Sequence, residues 1–150
     1  MRAEAGVTYV SVDDSSLAPA SLTLFDTGSL APISYSRQKF DAAGAYTVAD
    51  STTGTTQSVK LRPTGPATTT VGVPFTVTWV AGSGIPAGFD EDVQVQLPGT
   101  TDWRNWLVNQ TAASGNYTAA SAGTYKFRAR LQRTGGSATL YGALFSVPVS

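Results

Sequence analysis

The feature of this sequence that most restricts its fold is an unbroken alternation near the C-terminal end. Tyr125, Phe127, Ala129 and Leu131 take every second place, and Lys126, Arg128, Arg130 and Gln132 take the places between. Side chains on a β-strand point alternately to opposite faces, so a period of two describes a strand with one face in a core and one in water. An amphipathic helix would bring apolar residues back every three to four places instead. The same pattern recurs in Phe75, Val77 and Trp79 around Thr76 and Thr78, and in Val93, Val95 and Leu97 around Gln94 and Gln96. Leu144, Ser146 and the closing Val147 to Val149 predict a last strand. Turn signals such as GSGIPAG, PGTTD, ASAG and TGG separate these runs, as in an antiparallel sandwich. No segment has helical periodicity.

The stretch RPTGPATTTVG, residues 62 to 72, places two prolines and two glycines among threonines between strand-like segments. It predicts a short, stiff linker. Upstream, candidate strands run from Val7 to Val12, Ser21 to Phe25, Ser34 to Phe40, Tyr46 to Ala49 and Gln57 to Leu61. The expected organisation is therefore all-β, with two small antiparallel sandwich-like domains at residues 1–62 and 72–150 and the linker at 63–71. Ala-Gly-x-Tyr occurs in both halves, ending in Tyr46 and Tyr125. A tyrosine entering a strand after such a turn often bonds its hydroxyl to nearby backbone, the tyrosine corner of Greek-key sandwiches.

Charge and chemistry narrow the function. Ten basic residues balance ten acidic ones, and only 13% of the chain is charged. Split at Pro63, the first part carries five basic and six acidic residues and the second five and four. Neither half supplies the field that draws in nucleic acid or an anionic membrane surface, and no run is long enough to insert into a membrane. Low charge and abundant Ser and Thr fit secreted or virion proteins of large assemblies. MRAEAGVTYV lacks the apolar core of a secretory signal, so either the protein is made without one or the chain was trimmed. Cysteine and histidine are absent. That removes disulfides, thiolate and imidazole metal ligands, a cysteine nucleophile and a histidine base. No cofactor and no enzyme activity are expected.

From about Val71 to Val149 the chain resembles a fibronectin type III or related immunoglobulin-like domain. FTVTW at 75–79, DVQVQLPGTTDWRNW at 92–106 and AGTYKFRARLQ at 122–132 carry the resemblance. It implies a sandwich with a spacing or binding role, since such domains host many functions. The segment from Val7 to Leu61 is similar to the C-terminal part of plastocyanin-like cupredoxins, through LFDTGSLAP at 24–32 and KFDAAGAYTVADSTTGTTQSVKL at 39–61. Copper-binding relatives follow the Gly-x-Tyr turn with a cysteine, a histidine and a methionine. Here Tyr46 leads to Asp50-Ser51-Thr52-Thr53-Gly54, and the only methionine is Met1. Blue-copper chemistry needs a thiolate and two imidazoles, so electron transfer does not carry over. The first strands of a complete cupredoxin are also missing. The sheet edge this leaves needs a cover from the C-terminal domain, a strand donated by a partner, or a second copy in a homo-oligomer.

Asp13-Asp14 and Asp90-Glu91-Asp92 are acid clusters, but neighbours on a strand point to opposite faces and cannot flank one bond. A calcium site at Asp90 and Asp92, which share a face, is the better of those two readings. Asn109-Gln110-Thr111 and Asn116-Tyr117-Thr118 match the N-glycosylation pattern, which arises readily in Thr-rich chains. The strongest candidate is the polar face on which Lys126, Arg128 and Arg130 project beside Gln94 and Gln96, with Trp103, Arg104 and Trp106 on the next segment. Guanidinium, amide and indole groups of this kind are enriched in protein interfaces and stack on sugar rings. The favoured arrangement is nonetheless that the basic residues pair with Asp90, Glu91, Asp92 or Asp102 and that one tryptophan packs in the core.

These residues support a structural or adhesive module acting by surface contact on a protein or a glycan, in an extracellular or virion assembly such as a capsid-decorating or surface-displayed protein. The alternatives are a carbohydrate-binding module using Trp103, Trp106 and Tyr117, and an accessory domain of a secreted enzyme. Trp79 is expected in the core, and truncating Trp106 should cost much less than truncating Trp79 if the Trp106 ring is exposed as a candidate binding residue. Elemental analysis of purified protein should find no stoichiometric copper or zinc, and one tightly held transition metal per chain would overturn that expectation.

Overall fold

The computed structural model describes residues 8–13, 23–29, 40–50, 55–82, 84–85, 87–136, 138 and 140–150, with backbone alone at 8–13, 23–29 and 49–50. These residues form ten strands and no helix: β1 (Thr8–Asp13), β2 (Thr23–Ser29), β3 (Gly44–Asp50), β4 (Thr56–Leu61), β5 (Pro74–Thr78), β6 (Phe89–Gln96), β7 (Trp103–Gln110), β8 (Ser114–Thr118), β9 (Gly123–Arg133) and β10 (Phe145–Val149). Most of the expected strand Ser34 to Phe40, together with Asp14 and Ser51 to Gly54, lies outside the described residues.

The C-terminal part is an antiparallel β-sandwich. A four-stranded antiparallel sheet in the order β10-β9-β6-β7 faces a two-stranded sheet of β5 and β8. The alternation fixes which side of each strand is buried. Tyr125, Phe127, Ala129 and Leu131 of β9 and Val93 and Val95 of β6 turn inward, against Phe75 and Val77 of β5 and Trp79 just beyond it. In β10 the inward residues are Phe145, Val147 and Val149, whereas Leu144 stays exposed, so the last strand runs one place out of phase with the expected pattern. Trp79 is 2% exposed, and its Nε1 donates to the Ala112 carbonyl at 2.7 Å, which satisfies its one polar atom. Gly115 leaves room for this ring, since a Cβ there would sit 2.9 Å from it.

Both tyrosines act as corners. Tyr46 donates its hydroxyl to the Ala42 carbonyl at 2.7 Å. The Tyr125 hydroxyl accepts from the Ser121 backbone N–H at 3.3 Å, with the Ser121 hydroxyl 3.2 Å away. Each bond spans four residues and fixes the turn into its strand.

The N-terminal strands form one antiparallel sheet in the order β2-β1-β3-β4. One end of it is built into the sandwich. Ala43 N–H donates to the Trp79 carbonyl and Ala81 N–H to the Asp41 carbonyl, while Ala42, Ala43 and Tyr46 join the sandwich core. Where β1 ends, Leu140 continues the ladder by accepting from Ala45 N–H at 3.1 Å. Gly142 passes so close to β3 and β4 that a Cβ would lie 2.1 Å from the Leu61 carbonyl oxygen. Residues 63–71 do not cross open space. Thr64 exchanges two backbone bonds of 2.8 Å with Thr78, and Thr69 pairs in parallel with Val149 at the edge of the larger sheet. No helix among the described residues is long and apolar enough to cross a membrane.

Glu91 lies opposite Leu131 and so points into the core, fully buried, with no hydrogen-bond partner for either carboxyl oxygen. Burial, and secondarily the charge of Asp92, push its carboxyl from 4.5 up to about 9. The folded chain thus keeps a proton that the unfolded chain releases above the ordinary value. Stability from this group is greatest at acid pH and falls as pH rises through the window from 4.5 to about 9. The expected slope is about 1.4 kcal/mol per pH unit. Urea unfolding of wild type and Glu91→Gln across that window should show the difference between them growing with pH. Parallel curves would place the Glu91 carboxylate in water.

Candidate functional site

The outer face of the larger sheet is set by register. Gln94 of β6 lies between Arg128 of β9 and Asn105 of β7, Gln96 lies between Lys126 and Trp103, and Asp92 faces Arg130. Residues paired across strands share a face, so Trp103, Asn105, Lys126, Arg128 and Arg130 project together with the amides of β6.

Arg128 sits at the centre. Its Nε and Nη2 donate to Gln94 Oε1 at 2.9 and 2.7 Å, and Gln94 Nε2 donates on to Asn105 Oδ1 at 2.8 Å. The guanidinium lies 4.2 Å from the Trp103 ring centroid and 4.4 Å from that of Tyr141. Partial burial lowers its pKa from the ordinary value, with the charge of Arg130 adding to the effect and Tyr141 opposing it. Arg130 also lies over Tyr141, at 4.8 Å, but is neutralised by Asp92, whose Oδ2 accepts from its Nε at 3.1 Å and its Nη2 at 2.9 Å. Asp92 Oδ1 accepts from Asn109 N–H at 3.0 Å and Gln132 Nε2 at 3.2 Å, and Gln132 Nε2 also donates to Asn109 Oδ1. Asn109 adopts φ 53°, a left-handed conformation that asparagine tolerates better than most residues. Burial pushes the Tyr141 hydroxyl up.

Trp103, Arg128 and Arg130 are therefore brought together, whereas Arg104 and Trp106 are not with them. Arg104 pairs with the inward-facing Val95 and lies on the other side of the sheet. Trp106 packs between the sheets, with ring centroids 6.0 Å from Trp79, 5.5 Å from Phe127 and 5.2 Å from Tyr117. Trp106 is thus the tryptophan that packs inward, which removes it from the candidate binding face. The cause is the strand period of two: Trp106 stands three places after the outward Trp103, an odd step that turns it to the inward face. Tyr117 likewise contacts Phe75, Tyr125 and Phe127 at the core. Of the expected acid pairings for the basic residues, Asp92 with Arg130 forms. Both oxygens of Asp92 are engaged in this network, and no cluster of three metal-ligating side chains occurs among the described residues. Tyr141 was missed by sequence reasoning because it lies in the connection before β10, where no periodicity assigns a face.

No family model matches the chain, and no curated protein matches it. Among solved structures it is similar to the PKD domain of an M14-like peptidase from Thermoplasmatales archaeon SCGC AB-540-F20, at 20% identity over 58% of this chain and 89% of that one, with a TM-score of 0.41. It is also similar to a CARDB domain from Pyrococcus furiosus solved with di-metal ions, at 20% identity over 75% and 97%, TM-score 0.33. A third is the Bacteroides ovatus protein SGBP-B of a mixed-linkage glucan utilization locus, in complex with a mixed-linkage heptasaccharide, at 14% identity over 94% and 37%, TM-score 0.32.

Truncating Trp106 removes a ring that bridges both sheets, so Trp106→Ala should lower stability by roughly 3 to 5 kcal/mol. Trp103→Ala forfeits mainly its contact with Arg128 and should lower it by about 1 kcal/mol. Denaturant unfolding of the two variants measures both, and equal losses would contradict the placement of these rings.

Proposed function

We propose that the chain is a non-catalytic structural or adhesive module that works by surface contact through the outer face of β9, β6 and β7, within a larger extracellular or virion assembly. The observation that carries this reading is the pre-ordering of that face. Arg128, Arg130, Gln94 and Asp92 are each held by two or more neighbours, so little side-chain freedom remains to be lost on binding. The chemistry there is that of contact, since the chain has no histidine or cysteine and Asp92 is engaged by an arginine and amides.

A second reading, a carbohydrate-binding module, is favoured by one specific feature. Trp103 and Tyr141 place an indole and a phenol on one face beside side-chain amides, the groups that stack on sugar rings and bond their hydroxyls. Both readings require this face. Wild type, the Trp103→Ala/Tyr141→Ala double variant and Arg104→Ala, each confirmed as folded, can be compared on arrays of glycans and extracellular proteins and by light scattering. Capture or self-association should fall about tenfold in the double variant, on the scale of losing one interface anchor, and persist in Arg104→Ala. A double variant indistinguishable from wild type throughout would remove the face from the function.

A further inference from the structure

We propose that the outer face binds the carboxylate-bearing sugars of an acidic polysaccharide, with Arg128 and Lys126 as its anion contacts and Trp103 and Tyr141 as its ring contacts. This rests on the surface-contact reading above and names the ligand class.

The arginines of the face differ in what balances them. Arg130 is closed by the Asp92 carboxylate at 2.9 Å. Arg128 gives Nε and Nη2 to a neutral amide oxygen and, among the described residues, makes no ion pair. A guanidinium carries five N–H donors in a planar fork. The Nε and Nη2 edge is used by Gln94, which leaves the edge between Nη1 and Nη2 for a two-pronged bond to a carboxylate. Lys126 occupies the next outward place on β9, opposite Gln96, and also lacks an ion pair among the described residues. Among the described residues, two cations without acidic partners thus stand side by side on a face whose other arginine is neutralised. Partial burial of Arg128 makes its missing counter-ion more consequential than it would be in open water.

The surroundings favour a sugar acid over an acidic protein segment. A protein interface is built on an apolar centre ringed by polar groups. Here the outward places hold Arg128, Gln94 and Asn105, and the Trp103 and Tyr141 rings lie against the guanidinium. A uronic acid presents a C–H face to a ring, hydroxyls to amides and a carboxylate to the guanidinium, which matches all three chemistries.

The test titrates the full chain with oligogalacturonate, with the same oligomer methyl-esterified, and with an oligoglutamate peptide. Wild type, Arg128→Gln, Arg128→Lys, Trp103→Ala and Arg104→Gln are compared, each with a native melting transition. Oligogalacturonate should bind wild type, and esterification or Arg128→Gln should each weaken binding about tenfold or more, as loss of a charge-assisted bond does. Arg128→Lys should fall between, because it keeps the charge and loses the fork, Trp103→Ala should also weaken binding, and Arg104→Gln should match wild type. Equal binding of the esterified oligomer, still lost in Trp103→Ala, overturns the anion assignment and leaves the surface reading standing. Tighter binding of oligoglutamate overturns the sugar assignment. Absence of binding to all three probes, or binding unaffected by both Trp103→Ala and Arg128→Gln, overturns the site.

Discussion

The pairing of β6 with β9 runs without a break from Phe89 opposite Arg133 to Gln96 opposite Lys126, and every other feature of the sandwich takes its orientation from it. Because the side-chain period is two, this one register assigns Val93, Val95, Phe127 and Ala129 to the core, and Gln94, Asp92, Arg128 and Arg130 to the outside. A slip of one residue would drive two guanidinium groups between the sheets and expose Phe127. The cost of burying unpaired charge makes that alternative inaccessible, so the polar face specifies the fold as firmly as the apolar one. Glu91 is the exception that this register enforces. It falls on an inward place between two outward aspartates and must be protonated to stay there.

The same register explains what could be read from the sequence and what could not. Strands β5 and β9 keep their alternation, as do Val93 and Val95 in β6, and these inward residues, with Trp79 beyond β5, follow from spacing alone. Lys126, Arg128 and Arg130 were legible as one face for the same reason. On β7 the two tryptophans of TDWRNW stand three places apart, an odd step that sends them to opposite sides of the sheet. Spacing does not say which of the two turns inward, since that is settled by the register in which β7 meets β6. Tyr141 was illegible for a different reason. Its place over Arg128 depends on the Gly142 N–H bonding to the Ala129 carbonyl, a tertiary contact in a segment without pattern.

The seam between the halves shows the same limit. Residues 62–72 read as a linker because proline and glycine interrupt any period, yet Thr64 and Thr69 bond to strands on either side of the sandwich. Proline cannot donate to a ladder, so the stretch pairs at single bridges where a longer strand would pair continuously. Upstream, Ala42 and Ala43 are small enough to let backbone approach backbone, and Ala43 N–H reaches the carbonyl of Trp79, the residue most central to the core. The N-terminal sheet therefore shares a hydrophobic cluster with the sandwich, with Val59 and Leu61 packed against it. Substitutions at this seam act on both halves together, which sequence spacing alone does not disclose.

A face organised this way meets two requirements that usually conflict. Long basic side chains lose considerable rotamer freedom when a partner immobilises them, which erodes the affinity they provide. Here that loss is taken during folding. Gln94 and the two rings fix Arg128, Asp92 fixes Arg130, and Asn109 and Gln132 fix Asp92 in turn. These contacts span β6, β7, β9 and the connection before β10, so the array is as rigid as the sheet beneath it. The core contributes from the opposite side, because Phe127 and Ala129 hold the backbone on either side of Arg128. The alternation that first identified β9 as a strand is thus also what gives its outer face a fixed shape to present.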